Sequence, residues 1–273
     1  MKPAPFDYLR AATLSEAHAA LASEGSDAAV IAGGQTLVPL LSMRMARPKV
    51  VVDIMRIAEL SGVAVADDCI RVGATVRQAQ LLAWPQLAER QPLLVQALPW
   101  VGHAQTRARG TVCGSVALAD PSAELPLVLA ALVGDVVLSS QAGCRSVKAQ
   151  DFFSGIMSTA RNDDELIEAV SFPCRHPGER FAFREFARRH GDFAIVACAA
   201  VVTEKNARLA VAGVADQAAV RDFGNITGSG LDDALRAFAA ELEARDDLHA
   251  TADYRRDLVR RLARRTIEDA RCA

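Results

Sequence analysis

Two short stretches of this sequence combine glycine with side chains that donate hydrogen bonds. One is Ala32-Gly33-Gly34-Gln35-Thr36, with Leu37 following; the other is Arg109-Gly110-Thr111-Val112-Cys113-Gly114-Ser115. Glycine lets consecutive backbone N–H groups turn inward around an anion, and nearby hydroxyls add donors. Two such loops face to face would grip a pyrophosphate from both sides. Taken singly, each is also explained by a plain turn, because glycine is the commonest turn residue. Spacing alone does not say whether the two meet.

Other chemistries find no support. The chain has neither GxGxxG nor the P-loop pattern GxxxxGK followed by Ser or Thr. Its six cysteines, at positions 69, 113, 144, 174, 198 and 272, include no CxxC pair and no cluster for an iron–sulfur centre or zinc. The five histidines include no HExxH, and no Ser–His–Asp or paired-carboxylate hydrolytic site is evident. The thiols read as isolated cytosolic cysteines.

Elements must position the two stretches. Thr13 to Glu16 has the capping-box pattern, which predicts a helix from about Leu14 to Ser23, ended by Gly25. Residues 28–32 and 49–54 read as short buried strands, with a helical turn or short helix between them around Pro39. VAVADDCIRVGA predicts a hairpin turning at Asp67-Asp68. Thr75 to Gln78 repeats the capping-box pattern and predicts a helix through about Ala88, followed by another over 93–102. A polar, glycine-bearing stretch precedes a helix from Glu124, with Pro126 in its first turn and Gly134 as its stop. Residues 136–140 and 165–173 read as strands, and DFFSG as a turn or short helix. From Phe181 the pattern changes to three strand-like runs, FAFREFA, AIVACAAVVTE and ARLAVAGVA, and then two helical segments. The expected class is α+β, divided at 1–58, 59–176 and 177–273.

Composition bounds the function. With 273 residues, 51% of them hydrophobic, a large core is available. The formal charge of −2 argues against a general nucleic-acid binder, which needs a cationic excess. MKPAPFDYLR lacks a signal core and no run of about 18 apolar residues occurs, so neither secretion nor a membrane span is expected. The expected location is cytoplasmic.

The motifs together resemble a family. AGGQTLVPLLSMR (32–44) is similar to the first flavin motif of the FAD-binding medium subunits of molybdenum hydroxylases, the xanthine dehydrogenase and carbon monoxide dehydrogenase type. GHAQTRARGTVCGSVALADPSAELP (102–126) resembles the second motif, DELIEAVSFP a family strand, and FREFARRHGDFAIV the opening of the C-terminal domain. The closing helix also matches, so the resemblance covers nearly the whole chain in order.

The resemblance implies the two-subdomain FAD-binding fold of the vanillyl-alcohol-oxidase-like type, then a C-terminal domain of three antiparallel strands and a helical bundle. It implies FAD between the subdomains, its pyrophosphate against the backbone of Ala32, Gly33, Gly34, Gln35, Thr36 and Leu37 and of Thr111, Cys113, Gly114 and Ser115. Ala119, Asp120 and Glu124 belong to the same motif, with Glu124 expected on flavin-side hydroxyls. Ile167 is expected beside the isoalloxazine and Phe193 over one face; read without the family, both are strand core residues.

Electrons would come from two 2Fe-2S clusters of a small subunit, fed by the molybdenum cofactor of a large subunit, in a dimer of heterotrimers. They would leave to an external acceptor such as NAD, a quinone, a cytochrome or oxygen. A free-standing FAD-dependent oxidoreductase and a docking subunit without FAD are the alternatives.

Two departures stand out. Cys113 occupies the first position of a family Gly-Gly pair, where a left-handed backbone would cost a Cβ-bearing residue about 1 kcal/mol or more. Either its backbone suits a side chain or the loop differs locally. Glu185 stands where many members carry a lysine that favours reduced flavin, with Arg184 and Arg188 as candidate substitutes.

Overall fold

A computed structural model describes residues 2–273. The chain begins with β1 (Asp7–Arg10), α1 (Leu14–Glu24), β2 (Ala28–Ile31), α2 (Leu37–Ser42) and β3 (Val50–Asp53). These strands form a parallel sheet in the order β1-β3-β2, with Asp7 and Ala28 both in register with Val50. Thr13 caps α1 as its sequence predicts: its Oγ1 accepts from Glu16 N–H at 3.2 Å. Thr13→Ala should therefore destabilise the protein by about 1 kcal/mol in urea unfolding.

The second unit is a five-stranded antiparallel sheet. Its hairpin, β4 (Val63–Ala66) and β5 (Cys69–Gly73), turns at Asp67 and Asp68, both with positive φ as a tight two-residue turn requires. Six short helices follow. They are α3 (Gln78–Leu82), α4 (Leu87–Arg90), α5 (Pro92–Ala97), α6 (Ala104–Arg107), α7 (Val112–Leu118) and α8 (Glu124–Ala131). Next come β6 (Asp135–Ser140), β7 (Gly143–Lys148), α9 (Ala149–Phe152), the small pair β8 (Phe153–Gly155) and β9 (Ser158–Thr159), and β10 (Leu166–Pro173). The sheet order is β4-β5-β10-β6-β7.

One predicted cap is corrected. Thr75 does not cap a helix; its hydroxyl donates to the Leu60 carbonyl at 2.9 Å. The helix starts at Gln78, where Gln80 Oε1 accepts from Arg77 N–H at 2.9 Å, and it stops at Leu82 rather than near Ala88. Pro85 explains the stop, since it lacks an N–H and drives Trp84 out of helical geometry.

The C-terminal part has four strands, β11 (Arg180–Phe186), β12 (Val196–Val202), β13 (Ala207–Ala212) and β14 (Ala219–Asp222), in one antiparallel sheet. The three predicted strands are present and β14 joins them at the edge. Helices α10 (Gly228–Glu241) and α11 (Ala252–Cys272) cover one face.

All of β12 is buried, because both faces are packed. Val196, Cys198 and Ala200 meet the two long helices, while Ala197 and Ala199 join the core of the first 175 residues. That double burial explains the unbroken apolar run AIVACAAVV. The alanines let α8, buried at every position, lie against this sheet. Buried Arg255 ties α11 to the strand ends, donating to the Ile195 carbonyl at 2.7 Å and to that of Gly213.

Candidate functional site

The two glycine stretches meet. A Cβ on Gly33 would stand 2.7 Å from Gly110 Cα, and closer still to the Arg109 carbonyl oxygen. Only glycine permits two backbones to approach like this. Gly34 adopts φ +70°, the left-handed region open to it without strain. None of the N–H groups of Gly33, Gly34, Gln35 and Thr36 donates to an acceptor among the described residues. Four successive free donors around glycines make an anion-binding concavity rather than a plain turn.

The opposing stretch is not a loop but the start of α7. Thr111 Oγ1 accepts from Gly114 N–H at 3.1 Å, which caps the helix. The sequence hid this element because its polar, glycine-bearing residues carry little helical periodicity.

Cys113 sits in that first helical turn, so its backbone suits a side chain. Its thiol lies in the core, 2% exposed, with Sγ donating to the Val72 carbonyl at 3.4 Å. Burial pushes the thiol up to about 12. Cys113 should thus stay unmodified when native protein is treated with a thiol reagent at pH 8, while exposed Cys144 and Cys272 react; peptide mass mapping reads this out.

Both stretches line a cleft of about 630 Å³. Ala32, Gly33, Gly34, Gln35, Thr36, Leu37, Thr111, Cys113, Gly114, Ser115, Glu124, Ile167 and Phe193 all contribute to its walls. Ala119 and Asp120 do not. Ala119 ends α7 in a left-handed conformation, φ +53°, and Asp120 accepts from Ser122 N–H at 2.8 Å in the turn that follows. Phe193 is 59% exposed and precedes β12, so it is not a core residue. Ile167 is buried in β10 and reaches the cleft along with Leu166.

Glu124 opens α8, 3% exposed yet on the cleft wall. Burial pushes its carboxyl up to about 7; Asp120 adds to the rise and Arg107 opposes it. Near it, both oxygens of Glu185 are shielded and lack a hydrogen-bond partner among the described residues. Burial, then the nearby Glu124, pushes this carboxyl up to about 8. Neither candidate substitute cation reaches the cleft: Arg184 pairs with Asp269 on α11, and Arg188 lies beside His249.

Sequence reasoning missed Gln78, Thr106 and Arg161, which also line the cleft. Gln78 is 4% exposed and its Oε1 has no partner among the described residues, leaving an acceptor for a ligand donor. No local pattern marks these residues, because each is an ordinary polar residue of a helix or loop.

Residues 4–175 match the family described as the FAD binding domain in molybdopterin dehydrogenase, and residues 181–270 match the carbon monoxide dehydrogenase flavoprotein C-terminal domain. The chain belongs to the molybdopterin dehydrogenase FAD-binding family.

It is 38% identical to the 6-hydroxypseudooxynicotine dehydrogenase complex subunit alpha of Paenarthrobacter nicotinovorans, over 99% of this chain and 96% of that one. Carbon monoxide dehydrogenase from Hydrogenophaga pseudoflava superposes with a TM-score of 0.94 at 30% identity, over 100% of this chain and 99% of that one. Quinoline 2-oxidoreductase from Pseudomonas putida 86 gives 0.92 at 34% identity, over 99% and 98%. The chain is thus an FAD-binding subunit of a molybdenum-containing oxidoreductase. The cleft fits the cofactor, with free N–H donors for phosphate, an unpaired buried Gln78 oxygen, and a volume inside the roughly 300–1,000 Å³ range of such sites.

Proposed function

We propose that this chain is the electron-exit subunit of a cytoplasmic molybdenum hydroxylase. In this reading the backbone of Ala32 to Leu37 and of Thr111 to Ser115 holds the FAD pyrophosphate. The observation that carries it is the set of four unpaired N–H groups, Gly33 to Thr36, beside the meeting point of the two glycine stretches. Glu124 accepts from hydroxyls on the flavin side of the cofactor, and its buried place on the wall supports that role. Ile167 and Phe193 bound the ring, the first as a fixed strand residue and the second as an exposed aromatic beside the cleft. FAD, when bound, supplies the redox chemistry, taking electrons from two 2Fe-2S clusters of a small subunit and giving them to an external acceptor.

A large subunit with the molybdenum cofactor completes the complex, as a dimer of heterotrimers, and sets the substrate. No helix among the described residues is long and apolar enough to cross a membrane. The test is purification of the chain with its co-expressed partners, followed by absorbance spectra and cofactor analysis. The expected result is one FAD per chain and co-purification of molybdenum and iron. Colourless protein without FAD would favour a docking subunit. Flavin reduction by a small substrate, in the isolated chain, would favour a free-standing oxidoreductase.

A further inference from the structure

The cleft wall carries three acidic residues, Glu124, Glu165 and Asp192. Among the described residues, Arg161 is the single lysine or arginine that lines it. Arg161 lies just before β10, in the turn leading to Leu166 and Ile167.

Its guanidinium is fixed from one end. Nη1 donates to the carbonyls of Asn162 at 2.8 Å and Glu165 at 2.7 Å, with that of Asp163 at 3.4 Å. Nε and Nη2 have no partner among the described residues and are not shielded. Those two nitrogens form the edge of the guanidinium that presents parallel donors to a pair of acceptor atoms. The neighbouring acid does not claim this edge, because Glu165 is already paired bidentately with Arg145, at 2.6 and 2.7 Å. The guanidinium is thus anchored through Nη1, and its two-donor edge is left free on a residue that lines the cleft.

We propose that Arg161 is the cation that tunes the bound flavin, its free edge donating to acceptor atoms of the ring and favouring the reduced, anionic state. The assignment rests on the FAD site proposed above. The diphosphate has its own donors in the four backbone N–H groups from Gly33 to Thr36. Arg161 instead joins the wall from the turn that leads into β10, the strand of Ile167. A fixed charge in a partly closed cleft is worth more than one in bulk water, since less solvent screens it.

The test compares wild type, R161Q and R161K as full chains, measuring FAD content by absorbance and the FAD midpoint potential by dye-coupled titration. R161Q should keep FAD, but at a fixed potential its ratio of reduced to oxidised flavin should fall about tenfold. That corresponds to about 30 mV for a two-electron couple. R161K, which keeps the charge and loses the two-donor edge, should lie between the two. A wild-type potential in R161Q would overturn the inference, as would R161K matching R161Q. Loss of FAD from R161Q, with an unchanged potential for the flavin that remains, would assign the residue to the phosphates instead. If R161Q does not fold, the R161K potential decides alone, and a value equal to wild type overturns the role of the edge. Wild-type protein that takes up no FAD overturns the function proposed above, and this inference with it.

Discussion

Gly33→Ala is expected to weaken FAD binding by about 10- to 100-fold. The added Cβ would stand 2.7 Å from Gly110 Cα and closer to the Arg109 carbonyl, both of them backbone atoms. Backbone cannot rotate aside as a flexible side chain does. The two stretches must separate, which moves the free N–H groups of residues 33–36 away from the start of α7. Restoring the geometry around a ligand costs the overpacking energy, about 1–3 kcal/mol. At about 1.4 kcal/mol per factor of ten, that brackets the stated range. Fluorescence titration of apoprotein with FAD measures it, with far-ultraviolet circular dichroism checking the fold. Gly34→Val acts differently: φ +70° is strained for a β-branched residue, and the added Cβ would press the Val38 side chain at 3.1 Å. It should abolish FAD retention and leave the fold largely intact. Full flavin content in both variants would count against assigning this stretch to the cofactor.

Glu185→Gln should stabilise the protein at alkaline pH, by about 3 kcal/mol at pH 9. Glu185 shares a face of β11 with Phe181 and Phe183, turned toward the core of the first 175 residues. Its residue is only part-buried, yet both carboxyl oxygens are shielded and unpartnered, and ionising them there is costly.

Its folded pKa, about 8, lies above the ordinary 4.5. Between those values the native state holds a proton that the unfolded state has lost, so stability falls as pH rises from about 4.5 to about 8. Glu124, at about 7, adds a loss of the same sign over a narrower window. The full shift would amount to nearly 5 kcal/mol, and relaxation with water entry reduces it to roughly 3. A glutamine side chain at this position keeps the shape without the charge. Urea unfolding of both proteins from pH 5 to 9 should give stabilities that nearly meet at pH 5 and separate progressively up to about pH 8. Parallel curves would mean that the carboxylate finds a partner once ionised.

Local signals carried much of the fold into the sequence. The Thr13 cap, the Asp67-Asp68 turn, Pro126 in the first turn of α8 and Pro173 at the end of β10 all mark elements where they occur. Each depends on a few consecutive residues, so no distant contact is needed to read it. Elements set by distant partners were harder to see. β7 is exposed and polar, and it exists as a strand through its pairing with β6; β14 exists through β13. Thr75 shows the opposite failure. Its local pattern is right for a cap, but the Leu60 carbonyl takes its hydroxyl.

The site divides the same way. Residue order alone identified the glycine stretches, and the resemblance assigned them to a flavin because its motifs run through the whole chain. Whether the two stretches touch was a question of distance between residues about 75 positions apart, and only packing answers that. Packing also turned Cys113 into a helical core residue and sent Arg184 toward α11. It left Arg161, unremarkable in the sequence, as the cation on the cleft wall. Backbone freedom is written in residue type, so sequence determined where the chain can approach an anion. The direction of a side chain depends on what packs around its element, so tertiary structure decided which charges line the cleft.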